Sequence, residues 1–426
     1  MQTSNKSDGV ASLSATLGLF SGGNQVQLLQ GGDELFPAMV RAIDQARHEV
    51  WVATYIFHDD PAARAVLNAL FAAARRGICT RLLVDGFGTN AALTELRQEC
   101  DAHGVVLAVF RPMHRWWSWL QPGQLRRMHQ KLCVVDEEVA FVGGVNLIDD
   151  RFDLRHGWSE QARLDFSVRV VGPVVGSVRQ AARALWTRSL LRQELREEVA
   201  AVAQAANPIA RLRHILKRLR MPSGLKGRPQ SIAAAPMLAA FVVRDNLRQR
   251  RTIERHYIAA IRQAQSRVDL MCPYFYPGRA FRRALVQAAQ RGVKVRLVLQ
   301  GKADYQLARF AASALYAELQ SRGIRIFEYV PAFLHAKVAL VDERWATVGS
   351  SNIDPLSLLL NLEANVIVRD PIFNAELAKR IDEAVAVSHE VDVKSSLPLW
   401  YGAWRRAVVA WLAYVYLRVA GRSGRY

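Results

Sequence analysis

HQKLCVVDEEVAFVGGVNL, residues 129–147, returns as HAKVALVDERWATVGSSNI at residues 335–353, and the architecture follows from that recurrence. Both copies read His-x-Lys-x4-Asp and, after a six-residue gap, a pair of small residues and an Asn. His129, Lys131, Asp136, Gly143, Gly144 and Asn146 answer to His335, Lys337, Asp342, Gly349, Ser350 and Asn352, each displaced by 206 positions (129 to 335). LCVVD and VALVD have the composition of buried strands, and residues two apart on a strand share a face, so each His and Lys point into one space. The small residues after the return strand are expected to let a phosphate approach the backbone.

Outward from this pair, RRGICTRLLVDG (75–86) and QRGVKVRLVLQG (290–301) are near copies 215 positions apart (75 to 290). Before each comes an amphipathic helix, a strand (EVWVATY from Glu49; RVDLMCPYFY from Arg267) and a second helix, and VVLAVF (105–110) and IRIFEY (324–329) end a further helix and strand. Strands alternating with helices predict an α/β fold with largely parallel strands, built as two similar α/β/α halves. If the halves pair about a pseudo-two-fold axis, two imidazoles and two ammonium groups converge on one shared active site. The expected divisions are an N-terminal extension (1–25), a first half (26–186), a basic amphipathic linker (187–238), a second half (239–390) and a basic, Trp-rich tail (391–426).

A pocket of this kind suits a phosphodiester. Neutral imidazole attacks phosphorus, while a protonated one supplies the leaving oxygen with its proton. An ordinary His pKa of about 6.5 permits both states near neutrality. Lys131, Lys337 and the amides of Asn146 and Asn352 can hold the non-bridging oxygens. Such chemistry needs no metal and no other cofactor, and the sequence offers no Asp/Glu/His cluster that would bind a metal.

From about Val26 to about Asp370 the chain resembles the phospholipase D superfamily, whose signature is this duplicated motif, and HAKVALVDERWATVGSSNIDPLSLLLNLEANVIV and RRMHQKLCVVD with FVGGVN resemble the cardiolipin synthases within it. The resemblance implies a phosphatidyltransferase that joins two phosphatidylglycerol molecules, releasing glycerol, through a phosphohistidine. By that analogy His129 is the nucleophile and His335 acid and then base, Glu363 orients His335, and Asp165 orients His129. Asp136 and Asp342 belong to the catalytic signature, although an Asp at a strand end before a turn commonly binds its local backbone. Hydrolysis and transfer to another alcohol share the first step, and the alternative enzyme is a phospholipase D-family endonuclease, with the +19 charge binding phosphates and the Trp residues stacking bases. A catalytically dead lipid-binding scaffold is a separate class, and the presence of both copies of His, Lys and Asn speaks against it.

With 57 Lys+Arg against 38 Asp+Glu, the net charge of +19 calls for a polyanionic partner. Trp116, Trp117 and Trp119 sit among Arg111, Arg115, Arg126 and Arg127 just ahead of His129. Trp400, Trp404 and Trp411 accompany Arg405 and Arg406 in the tail, and Ile209, Leu212, Ile215, Leu216 and Leu219 form an apolar stripe in a basic linker helix. Trp beside Arg is the composition of membrane interfaces, so phospholipid and a membrane surface are favoured over nucleic acid. The longest apolar run, Ala407–Leu417, spans about 16 Å as a helix, against about 30 Å of hydrocarbon. Its expected place is in the interface, and MQTSNKSDGVASLSATLGLF has no secretory pattern. The expected location is therefore peripheral, on the cytoplasmic side of the inner membrane. Cys79, Cys100, Cys133 and Cys272 read as buried, reduced thiols, while His103, His114, His156 and His214 read as solvated side chains.

Overall fold

The computed structural model describes residues 20–112, 126–154, 156–193, 237–245, 249–301, 315–354 and 361–392. Trp116, Trp117, Trp119, Arg115, His114, His214, the linker helix expected at 207–220 and the tail from residue 393 lie outside the described residues. In the first half the elements run β1 (Ser21–Gln30), α1 (Gly31–Asp44), β2 (Glu49–Thr54), α2 (Pro61–Arg75), β3 (Cys79–Asp85), α3 (Leu93–His103), β4 (Val106–Phe110), β5 (Lys131–Val135) and β6 (Val139–Gly143). A short hairpin, β7 (Phe152–Asp153) and β8 (Gly157–Trp158), precedes β9 (Phe166–Val171) and α4 (Val174–Gln193). The second half runs β10 (Met237–Arg244), α5 (Thr252–Gln263), β11 (Arg267–Met271), α6 (Arg279–Gln290), β12 (Lys294–Gln300), β13 (Arg325–Tyr329), β14 (Val338–Val341), β15 (Trp345–Gly349), β16 (Glu363–Arg369), α7 (Pro371–Ala386) and β17 (Ser388–Glu390).

Local chemistry accounts for the repeated units. Helices α2 and α7 both open on Asp-Pro: the Asp60 carboxylate accepts from Ala63 N at 2.9 Å and Asp370 from Phe373 N at 2.8 Å, while proline occupies the first turn, where no N–H is missed. Val66, Leu67, Leu70 and Phe71 then line the buried face of α2, as Phe281, Leu285 and Ala288 do on α6. Gly77 and Gly292, with φ of 81° and 88°, turn the chain from helix into strand in the left-handed region that favours glycine, which is why both copies read Arg-Gly there.

The strand order β17-β13-β12-β11-β14-β15-β16-β10-β1-β9-β6-β5-β2-β3-β4 repeats itself outward from the β10–β1 seam. Strands β2, β3 and β4 are parallel, as are β11, β12 and β13. The β5–β6 and β14–β15 hairpins and the central strands run antiparallel. The sheet is therefore mixed rather than largely parallel, because each catalytic motif is itself a hairpin and a hairpin must return antiparallel. Strands β6 and β9 face β15 and β16 without pairing to them. Between these faces lies one apolar core shared by both halves, including Val142, Val168, Val348 and Val366. Each half keeps a second core under its own helices. Cys100, Cys133 and Cys272 are buried free thiols as expected, but Cys79, at the start of β3, is exposed.

Asp136 and Asp342 lie at the far end of their strands from the histidines, about 17 Å along five residues of strand from Lys131 and Lys337. Asp136 accepts from the backbone N–H groups of Arg47, His48 and Glu49 at 2.6–2.9 Å. Asp342 does the same for Gln265, Ser266 and Arg267 and takes the Ser266 hydroxyl. Their assignment to the catalytic set is corrected on this point: they tie the β-hairpin turn to the helix-to-strand loop before β2 or β11. Burial disfavours their charge, yet the backbone donors outweigh it and hold both carboxyls below the usual range. The donors bind the carboxylate form, so this stabilisation is complete above the ordinary carboxyl pKa and is lost as pH falls through the depressed one. Asp136→Asn is expected to cost ~1–3 kcal/mol, seen as a thermal midpoint lowered by a few degrees, with a turnover number on substrate close to that of the unsubstituted chain. A loss of turnover with an unchanged midpoint contradicts the anchoring role.

Candidate active site

The pocket is made by two reciprocal crossings of the backbone. Met128, before His129, bridges Leu362, before Glu363, and Leu334, before His335, bridges Leu164, before Asp165. His129 N donates to Leu362 O at 3.0 Å and Leu362 N to Arg127 O at 2.9 Å. His335 N donates to Leu164 O at 2.8 Å and Leu164 N to Phe333 O at 2.9 Å. The Gln130 amide adds a bond to Glu363 O at 2.9 Å.

Because neighbours in sequence cross from half to half, the carboxyls do too. His129 Nδ1 lies 3.1 Å from Glu363 Oε2, and His335 Nδ1 lies 2.5 Å from Asp165 Oδ2. The expected pairing, Glu363 with His335 and Asp165 with His129, is thus reversed: each histidine is oriented by the acid of the other half. Lys131 Nζ donates to His129 O at 2.9 Å, and Lys337 Nζ to His335 O. Both ammonium groups are buried.

These groups act on one another electrostatically. Burial, then the charge of Lys337, pushes Lys131 down to about 7, and burial also lowers Lys337. Burial lowers His129 against the opposing pull of Glu363. His335 stands well below its usual value through burial, then the charges of Lys337, Arg163, Lys131 and His129. Each histidine lies in the field of both lysines, as a single shared pocket requires. Asn146 and Asn352 are buried beside it, with their amide oxygens turned to Ile56 N (3.2 Å) and Cys272 Sγ (3.7 Å), so their NH2 ends are the donors left for an anion.

The small residues serve a different end from the one read in the sequence. A Cβ on Gly143 would fall on Ser167, one on Gly144 within 2.3 Å of Asp165 Oδ1, and one on Gly349 within 2.3 Å of Asn365 Oδ1. They make room for side chains of the next strand rather than for phosphate.

Four contributors escaped the sequence reading. The Tyr55 ring stands edge-on to His129 with centroids 5.0 Å apart and carries Lys131 Nζ 5.5 Å from its centroid. Arg163 supplies charge beside His335. The Ser350 hydroxyl donates to Glu363 Oε2 at 2.6 Å, and buried Arg244 is paired with Glu363 across β10 and β16. Ser350 against Gly144 was visible as a difference between the copies. Tyr55 was marked by its place after the C-terminal end of a parallel strand, where ligand sites gather in such sheets.

The two acids have unlike surroundings. Burial raises Glu363, but His129, Lys131 and the Ser350 hydroxyl more than reverse this and keep it below the ordinary carboxyl value. Asp165 has Gly144 where Glu363 has Ser350, and Gly31 where Glu363 has Arg244. Its field includes buried Asp150, itself pushed up to about 7 by burial, and Asp165 is raised by its own burial despite Lys337 and Lys131.

Residues 39–157 and 257–385 match the family model described as cardiolipin synthase, PLD-like domain. The chain is 36% identical over 396 residues to cardiolipin synthase B of Escherichia coli (strain K12), spanning 93% of this chain and 88% of that one. It is 35% identical over 406 residues to cardiolipin synthase B of Salmonella typhimurium, with the same shares. Among solved structures, phosphatidylserine synthase of Haemophilus influenzae matches with a TM-score of 0.62 over 95% of this chain and 98% of its own. Polyphosphate kinase of Porphyromonas gingivalis matches with 0.54 over 91% and 53%. At 13% and 15% identity these two bear on the fold alone.

The crossed pairing has a direct test. Glu363→Gln removes the charge that holds the His129 pKa up, so in NMR spectra of histidine-labelled protein His129 is expected to titrate at lower pH while His335 moves much less. A larger displacement of His335 contradicts the crossing.

Proposed function

The chain belongs to the cardiolipin synthase, phospholipase D-like family, and from that premise we propose that its pocket moves a phosphatidyl group from one phosphatidylglycerol to the glycerol headgroup of another. As a phosphatidyltransferase it acts on phospholipid. The single observation that carries the mechanism is the pair of carboxyl–imidazole dyads facing each other over two buried lysines.

In the first step Nε2 of His129 attacks phosphorus, the P–O bond to the headgroup glycerol breaks, and the leaving oxygen takes a proton from Nε2 of His335 as Asp165, whose carboxyl is raised, passes its proton to Nδ1 of the same ring. The product is phosphatidyl-His129 and free glycerol. In the second step the headgroup hydroxyl of another phosphatidylglycerol attacks phosphorus, gives its proton to His335 and releases His129. The sum is two phosphatidylglycerols to one cardiolipin and one glycerol. Lys131, Lys337 and the NH2 groups of Asn146 and Asn352 take the non-bridging oxygens, whose charge grows in each transition state.

The surroundings of the acids support this division of roles. Attack leaves a positive ring on the nucleophile, and such a ring is stabilised by a carboxylate that stays ionised. Glu363, held by the Ser350 hydroxyl with Arg244 opposite it, is that carboxylate. Asp165, without those partners and beside Asp150, is the better acceptor and donor of a proton for His335. Membrane attachment in this reading is peripheral: no helix among the described residues is long and apolar enough to cross a membrane. The basic, apolar stretches within 187–238 and 391–426 would hold the chain to the inner surface.

Two measurements test the proposal. Mass analysis of products from phosphatidylglycerol vesicles is expected to show cardiolipin and glycerol in equal amounts; phosphatidic acid alone would make water the acceptor. His335→Ala is expected to lose about 10²- to 10⁴-fold in lipid turnover yet release a single burst of nitrophenol from an activated diester, whose leaving group needs no proton. His129→Ala is expected to give no burst. The opposite pattern exchanges the roles.

A further inference from the structure

We propose that the rim of the pocket, centred on the β7–β8 hairpin, is the surface that docks on an anionic phospholipid bilayer, with Leu154 and Trp158 entering the interface. The inference rests on the lipid reading above and adds to it the orientation of the body on the membrane.

Among the described residues, four of the seven exposed large apolar side chains are tied to segments that flank the site. Trp158 is 62% exposed, Leu154 54%, Phe87 53% and Tyr276 39%. Leu154 and Trp158 lie on the segment that leads to Asp165, and Phe87 and Tyr276 touch residues that flank His129 and Asn352. The hairpin is fixed to the second catalytic motif: His156 packs on Phe333, two residues before His335, with ring centroids 5.3 Å apart, and Arg163, whose charge reaches His335, donates to Phe152 O at 2.8 Å. Phe152 in turn stacks on His58 at 4.4 Å and packs against Trp158 at 5.3 Å, so the hairpin has an aromatic base beneath an apolar edge. Phe87 lies 5.1 Å under the Arg127 guanidinium, two residues before His129, and Tyr276 N donates to Ile353 O, next to Asn352, at 2.7 Å. Val106, by contrast, is exposed at the opposite end of its strand, and Ile372 and Val387 stand singly at the two ends of α7.

An isolated exposed apolar residue is ordinary, but a set gathered around one opening marks an interaction surface. Charge and chemistry identify the partner. Arg126 and Arg163 are partly exposed on the segments next to His129 and Asp165, and the chain carries a net charge of +19, which is complementary to an anionic surface. Trp and Leu beside Arg and His match the bilayer interface, where an amphipathic ring sits at headgroup depth. A phosphatidyl group must also bring its phosphorus to His129 while its acyl chains stay in an apolar phase. A rim that enters the interface supplies that continuity.

The test uses the full chain with Cys79→Ser, which removes the exposed thiol. Leu154→Cys is labelled with an environment-sensitive fluorophore and mixed with vesicles of phosphatidylglycerol and phosphatidylcholine, and Val106→Cys serves as the far-side control. The label at 154 is expected to shift to the blue and brighten several-fold on vesicles that sediment with the protein, while the label at 106 stays as in water. Leu154→Asp with Trp158→Asp is expected to weaken vesicle binding about tenfold, corresponding to about 1.4 kcal/mol. A label at 154 that remains in water on protein-bearing vesicles overturns the inference and leaves the rim to a protein partner, whatever the turnover. A shifted label on a chain that makes no cardiolipin upholds the docking surface and overturns the proposed reaction instead.

Discussion

Every feature of the pocket depends on one reciprocal constraint: each catalytic histidine, with the residue two before it, is hydrogen-bonded through its backbone to the residue before the acid of the opposite half. A backbone hydrogen bond of this kind fixes position to a fraction of an ångström. It therefore sets the Nδ1 of both rings against a carboxyl and leaves both Nε2 atoms on the opposite edge of the ring. The dense packing of the shared core behind it, with Val142 and Val168 against Val348 and Val366, keeps the two crossings from sliding independently. The lysines follow from the same constraint, since each bonds the carbonyl of its own histidine.

This arrangement concentrates positive charge where water is scarce. Two ammonium groups and two imidazoles share a buried space with two carboxyls, and each histidine and lysine pKa is depressed first by burial and then by neighbouring positive charge. The crowding is what a phosphodiester anion relieves. Binding the anion adds the charge that the pocket lacks, so binding and the growth of charge in the transition state draw on the same unbalanced field.

Much of this was legible in the residues. The paired motifs and the RRG/QRG repeat disclosed the duplication, and strand periodicity put His129 with Lys131 and His335 with Lys337. What the sequence could not reveal was the crossing. Glu363 follows His335 and Asp165 follows His129 along the chain, and proximity in sequence suggests pairing within a half; only the tertiary bridges reverse it. Asp136 and Asp342 show the opposite lesson. Turn chemistry alone reads an Asp at a strand end as a backbone acceptor, and the five intervening strand residues suffice to put it far from the histidine. Family membership of the motif pointed the other way because the signature records a local fold as well as a site. The glycines were misread for a related reason: their smallness was visible, but the carboxylate, hydroxyl or amide filling the space comes from the next strand or the residue before it.

The crossing also explains why a fused pair can do what two identical halves cannot. In a symmetric dimer the dyads would be identical, and acid and nucleophile could differ only after a proton or substrate broke the symmetry. Here the two halves are free to differ, and they do so one layer behind the histidines: Ser350 against Gly144, Arg244 against Gly31, Glu363 against Asp165. The His, Lys and Asn of the motif are retained in both copies, while the residues that set the charge of each acid have diverged. Gly144 cannot simply become Ser, because Asp165 already occupies the space of its Cβ. Asp, shorter by one methylene, lies where a Gly is needed behind it, whereas Glu extends past a Ser and bonds it. Each acid and its neighbour are thus matched as a set, and the two sets, crossed over between halves, give one active site two unlike ends.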